Sequence, residues 1–336
     1  MIARRRLHEI VDAFAGRRVV VYGDLVLDRF VLGTPKRISR EAPVIILRFE
    51  EQRDLPGGGA NALANVAALG GVPLAVGVVG DDEPGQALLA ALATRGVDCG
   101  DIVVVPGFRT ITKVRLLAGG PSALKFQVAR YDVEDHLAAD RGRHAELGAR
   151  LARLAGGAGA AAVSDYGYGT VIADNVARLR AALPAPALAV ADSRFGLISL
   201  GEVDGATPNL EELAAVSGRM PADDAEVAAA AETLRTRLGA RFIVATRGSH
   251  GLSLIEAGRP ALHQPVYGTD QVADVTGAGD PVLATLTLAL AAGAAPAEAA
   301  SLANLAGGVV VTRLGTATVS PAELHQAIDL APFLGS

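Results

Sequence analysis

The feature that most constrains the fold of this 336-residue chain is an alternation. Short, continuously apolar runs at Arg18–Tyr22, Leu74–Val79, Ala160–Ser164, Leu188–Asp192 and Phe242–Thr246 read as strands. Between them Asn61–Leu69, Gly85–Arg95, Ile172–Ala182 and Ala222–Leu238 have helical spacing. A strand that is apolar on both sides has to be covered on both faces, and an intervening helix supplies the crossover that parallel pairing requires. The expected class is therefore α/β, with a central, mainly parallel sheet flanked by helices. From Gly279 to about Leu330 the pattern becomes mostly helical.

Two segments break the alternation. Pro43–Gln52 is β-like with no helix before it, and Thr110–Val128 holds two β-like runs around the turn signal Gly119-Gly120-Pro121. Paired, they would make a small β-sheet lid, at about residues 33–55 and 109–130, on a single domain spanning 1–336. An extension of the main sheet's edge is the alternative. No repeat or long linker divides the chain.

Composition excludes several classes. The net charge of −5 gives no general attraction to nucleic acid or an anionic membrane. The longest uncharged stretch, Pro281–Ala297, is too short to span a bilayer and reads as a buried helix. Cys99 is the only cysteine, so no internal disulfide or thiolate zinc site can form, and a cytoplasmic setting is expected. No Gly-Lys pair exists for a Walker A loop, and no His-x-x-x-His pair for a metalloprotease.

The chemistry concentrates in a few short segments. Asp274-Val-Thr-Gly-Ala-Gly-Asp280 precedes a long apolar helix. Glycines at a helix start let backbone N–H groups converge on an anion, and the helix dipole adds to the attraction. A carboxylate there would repel phosphate; Asp280 has a reason to be present if it accepts a proton from a hydroxyl attacking that phosphate. A plain Asp helix cap is the structural alternative. Pro56-Gly-Gly-Gly-Ala-Asn61 allows close backbone approach and offers an amide for hydroxyls. Gly23-Asp24-Leu-Val-Leu-Asp28, read as following the first strand's carboxyl end, could bind a polyol. Asn209 and Glu212 in Thr207-Pro-Asn-Leu-Glu-Glu212 share a helix face suited to a hydrated metal or to a capping box. Thr246-Arg-Gly-Ser-His-Gly251 could pass a nucleotide or simply form a hairpin.

In this order the motifs resemble the ribokinase-like (PfkB-type) carbohydrate kinases over about residues 17–324. Arg37-Ile-Ser-Arg-Glu-Ala-Pro-Val44, Thr110-Ile-Thr-Lys113, Ser164-Asp-Tyr166 and Leu314-Gly-Thr-Ala-Thr-Val-Ser-Pro321 are similar to the kinase domain of heptose 7-phosphate kinase/adenylyltransferase proteins. The resemblance implies ATP with Mg²⁺, a monovalent cation such as K⁺, and transfer to O1 of D-glycero-D-manno-heptose 7-phosphate. Fructose, ribose or a nucleoside as acceptor, and a non-catalytic sensor, are the alternatives. It assigns Asp280 as the base and Gly277, Ala278 and Gly279 as the anion hole. Asp28, Gly58, Gly59 and Asn61 match sugar contacts, and Asn209, Glu212, Thr246, Gly248, Gly251 and Asn304 match the nucleotide side. Glu212 would hold Mg²⁺ through water, and Asp274, Thr276 and Gly315 match monovalent-cation positions. A phosphorylated sugar needs cations, for which Arg37, Lys113 and Arg115 are the candidates. Tyr168 stands where the heptose kinase motif has Lys, and Pro281 follows the base in place of a residue with an N–H. Apolar lid strands lead to the expectation of a homodimer.

Overall fold

The computed structural model describes residues 2–119, 125–194, 196–268, 277–313 and 315–335. In chain order the strands are β1 (Arg18–Gly23), β2 (Leu25–Ile38), β3 (Ile45–Gly58), β4 (Val72–Gly80), β5 (Ile102–Val105), β6 (Thr112–Ala118), β7 (Phe126–Val133), β8 (Ala160–Asp165), β9 (Leu188–Ser193), β10 (Gly205–Ala206), β11 (Phe242–Thr246), β12 (Leu252–Glu256) and β13 (Leu262–Gln264). Among the described residues, nine of them form one sheet in the order β13-β12-β11-β10-β9-β8-β1-β4-β5. All neighbours from β11 to β5 are parallel; β12 and β13 add an antiparallel edge.

The period of two along β1 builds two cores. Val19 and Val21 point into one, with Leu283 and Leu286 of the helix Gly279–Ala291. Val20 and Tyr22 point into the other, with Leu147 and Leu151 of the helix Arg141–Ala155. Burial on both faces is why these strands lack polar alternation. The helices Arg4–Asp12 and Pro321–Leu330 close the first core, and Arg4 donates to the carbonyls of Ile328 and Ala331 (3.1 and 2.7 Å). No helix among the described residues is long and apolar enough to cross a membrane.

A second sheet, the lid, has the order β3-β2-β6-β7. Its outer pairs are antiparallel and its central β2–β6 pair is parallel. It reaches beyond the segments 33–55 and 109–130 read from the sequence. β2 begins at Leu25, one residue after β1 ends, so Asp28 lies within a lid strand rather than in a turn. Leu25, Val26 and Leu27 are all buried and carry the chain straight from one sheet to the other.

Candidate active site

The site assembles where β1, β8 and β9 end and the helix Gly279–Ala291 begins. Asp280, in that helix's first turn, is fully buried. Asn61 Nδ2 donates to its Oδ2 at 3.0 Å, and the Tyr166 hydroxyl donates to its Oδ1 at 2.8 Å. Asn61 is itself oriented, because its Oδ1 accepts from Asn65 Nδ2 at 3.1 Å. Gly277 has φ of 69° and leaves no room for a side chain. A Cβ there would lie 3.0 Å from Asn61 Nδ2 and 3.2 Å from Asp280 Oδ2. Burial pushes the Asp280 carboxyl up to about 7, against the pull of the Asn61 and Tyr166 hydrogen bonds.

Gly58 plays the matching part on the lid side. Its φ is 54°, and a Cβ would come within 3.2 Å of the Tyr166 ring. Gly59 N donates to Asp24 O at 2.9 Å and starts the helix that carries Asn61. Asp28 is buried and ion-paired with Arg115, which is buried as well. Lys113 is buried too, but its ammonium makes no ion pair or hydrogen bond with a described residue; it sits 5.3 Å from the Tyr166 ring centre. Desolvation lowers its pKa, opposed by the charge of Asp28. Of the cationic candidates, then, Lys113 is uncommitted, Arg115 is engaged by Asp28, and Arg37 is not brought here. Arg37 is exposed nine residues along β2 from Asp28, about 30 Å away at strand rise.

On the other side, Asn209 and Glu212 form the capping box. Asn209 Oδ1 accepts from Glu212 N, and Glu212 accepts from Asn209 N and Nδ2, at 2.9 to 3.0 Å. Asn209 bridges to Thr246, the last residue of β11. Gly248 and Gly251, both at positive φ, form the turn of the β11–β12 hairpin. Gly251 packs against the 264–266 backbone, and Asn304 Nδ2 donates to Pro265 O at 2.8 Å, so these residues form one contiguous wall. Gly315, at φ 76°, packs on Phe30 of the lid. Asp274 and Thr276 lie outside the described residues.

The pfkB family carbohydrate kinase model matches residues 17–146 and 191–323. The chain belongs to the pfkB carbohydrate kinases. It is thus a sugar kinase, a phosphotransferase. It is 41% identical over 314 residues to the bifunctional protein HldE of Azotobacter vinelandii, covering 93% of this chain and 63% of that protein. HldE of Caulobacter vibrioides is also 41% identical, over 325 residues, covering 95% and 65%. The chain therefore spans just under two thirds of these curated relatives. In fold it is similar to Escherichia coli phosphofructokinase-2 in complex with substrates and products, with a TM-score of 0.74, 20% identity, and 94% and 99% of the two chains covered. It is also similar to Arabidopsis thaliana ribokinase complexed with ribose and ATP, at 0.70, 20%, 94% and 99%.

The candidate site holds three residues that stand outside the sequence-based assignments. Asp24 accepts backbone N–H groups of Tyr166, Tyr168 and Thr170 at 2.8, 3.1 and 3.2 Å, which fixes the loop after β8. Tyr166 contacts Asp280 directly. Asp192 lies one residue before the end of β9, where strand ends of a parallel sheet face the crevice, the rule that drew attention to Asp28. A Cβ on Gly279 would lie 3.6 Å from Asp192 Oδ2. Burial and the charges of Glu212 and Asp280 raise the Asp192 pKa well above the carboxylate range.

These carboxylates fit a hard cation. No group of three acidic, His or Cys side chains among the described residues forms a metal cage. Mg²⁺ commonly uses one or two carboxylates, with water and substrate phosphates completing its shell. Asp192 and Glu212 are the residues that would hold it. The phosphate side also fits: Thr316 Oγ1, beside Gly277, is buried and finds no hydrogen-bond partner among the described residues.

Proposed function

We propose that this kinase transfers the γ-phosphoryl group of ATP to O1 of D-glycero-D-manno-heptose 7-phosphate, with Asp280 as general base. The observation that carries the reading is a fully buried carboxylate held by Asn61 and Tyr166 at the mouth of a glycine-lined helix start. Asp280 takes the hydroxyl proton as the sugar oxygen bonds to the γ-phosphorus; the bond to the β-phosphate oxygen breaks and ADP leaves. Backbone N–H groups of the 277–279 turn face the charge that develops. Pro281 has no N–H to add, but in a first helical turn that group has no intrahelical partner in any case. Bound Mg²⁺ would supply charge neutralisation on the phosphates. In this reading Asp274, Thr276 and Gly315 serve a monovalent cation such as K⁺, and the whole chain is one kinase domain closed by its lid.

The phosphorylated acceptor is supported by the lid's charge pattern. Cross-strand register lines up Asp28 with Lys113 and Lys113 with Asp132, then Phe30 with Arg115 and Arg115 with Arg130. Opposed residues share a face, so three cations stand with two carboxylates there. The excess positive charge suits a sugar phosphate. The motif resemblance and the identity to bifunctional HldE proteins support the heptose. Tyr168 favours a second reading, another acceptor such as fructose, ribose or a nucleoside. Its hydroxyl donates to Glu134 at 2.8 Å, so no cation extends from position 168.

The test is an acceptor panel with ADP detection and NMR assignment of the product. Phosphorylated heptose should be used best, with new phosphate on O1. Turnover of free hexoses but not of the heptose phosphate would transfer the assignment to the second reading. Asp280→Asn should lower kcat about 10²–10⁴-fold with nucleotide binding retained; near-normal turnover would remove the base assignment.

A further inference from the structure

We propose that Tyr166 is a positioning residue for the base: its hydroxyl fixes the Asp280 carboxylate in the orientation that presents a free lone pair to the acceptor. The inference rests on Asp280 being the base. A carboxylate offers about four lone-pair sites. Asn61 occupies one on Oδ2 and Tyr166 one on Oδ1, so two donors on different oxygens stop rotation about the Cβ–Cγ bond.

Tyr166 is over-determined for such a role. Its backbone N–H is bound by Asp24, Gly58 lies against one part of its ring, and the Lys113 ammonium stands 5.3 Å from the ring centre. The phenol cannot swap roles with its partner. Burial and the charges of Asp280 and Asp192 hold its ionisation well above the usual tyrosine range, so it stays a donor. A donor to an ionised carboxylate favours the charged form, which opposes the effect of burial on Asp280.

The expected result follows from that sign. Tyr166→Phe removes a stabiliser of the carboxylate, so the base holds its proton to higher pH. The acidic limb of kcat/KM should move up by about one pH unit or more, as expected for a hydrogen bond to a charged group. kcat at pH 7 should fall about tenfold, with the deficit narrowing as pH rises and KM for acceptor and ATP nearly unchanged. A uniform loss at every pH, with the limb unmoved, would overturn the proposal and leave Tyr166 as packing. If Tyr166→Phe does not fold, judged by circular dichroism, 3,5-difluorotyrosine at position 166 keeps the shape and strengthens the donor. The limb should then move to lower pH, and an unmoved limb again overturns the proposal. Asp280→Asn separates the two levels. An inactive Asp280→Asn beside an unmoved limb removes only the role of Tyr166, whereas an active one removes the base itself.

Discussion

Asp280 sits in a site that disfavours its charge, and the free protein must feel this as pH rises. Burial raises its pKa from 3.8 to about 7. Between those values the folded state keeps a proton that the unfolded chain releases. Stability therefore falls as pH climbs through that window and levels off above it. At 1.36 kcal/mol per unit the contribution is about 4 kcal/mol. Asp280→Asn has no such proton to lose. Denaturant unfolding should show this variant gaining stability relative to the parent between pH 4.5 and pH 8, by up to about that amount. An equal difference at both pH values would mean that Asp280 is ionised as easily in the folded protein as in a peptide. The same carboxylate that limits stability at neutral pH is the one proposed to accept a proton there, which makes the cost local to the chemistry.

Among the elements, the parallel joint at the centre of the lid is braced by the buried pair Asp28–Arg115, which links β2 to β6. Arg115 also lies 5.2 Å from the Phe30 ring. Removing Arg115 takes away the cation bonded to the buried Asp28 and, among the described residues, leaves it only Lys113 across the strand pair. Arg115→Met should cost about 3–5 kcal/mol, and Asp28→Asn with Arg115→Met should recover much of it, since the pair's own net worth is small. Costs that simply add in the double variant would show that the two side chains are not coupled. This joint also marks the limit of what could be read from the chain. β1, β4, β8, β9 and β11 were legible because burial on both faces makes them continuously apolar. β10 was not, since two residues carry no pattern, and its place is set by its neighbours β9 and β11. The start of β2 was hidden because it follows β1 after the single residue Asp24. In the site, Asp280, Asn61 and Asp28 stood out through their glycine-rich or strand-end settings. Tyr166 did not: a tyrosine after a strand is ordinary until the fold places its hydroxyl 2.8 Å from Asp280.

For the molecule as a whole, the lid raises the question of what covers its apolar side. Register places Phe49, Gly33, Ala118 and Phe126 in one row across all four lid strands, with large residues flanking small ones. Phe49 and Phe126 are 64% and 60% exposed, and Ile38, paired with Ile45, is 70% exposed. Gly33 and Ala118 at the centre of the row are buried, so the exposed apolar area consists of the two rings and the Ile38–Ile45 pair, and such grouped exposure marks an interface. A second copy is the proposed occupant, because an isologous contact lets the same row meet itself about a two-fold axis. Sedimentation velocity at micromolar concentration should then give a dimer for the parent chain. Phe49→Asp with Phe126→Asp should shift it to monomer while leaving the circular dichroism spectrum intact, since neither ring belongs to either core. A parent that sediments as a monomer would refute the two-fold contact. A dimer indifferent to both substitutions would move the interface elsewhere. The substitutions also bear on function: both lie on strands that carry the Asp28–Arg115 pair or border it, so a lid that needs its partner for rigidity would lose acceptor affinity along with the dimer.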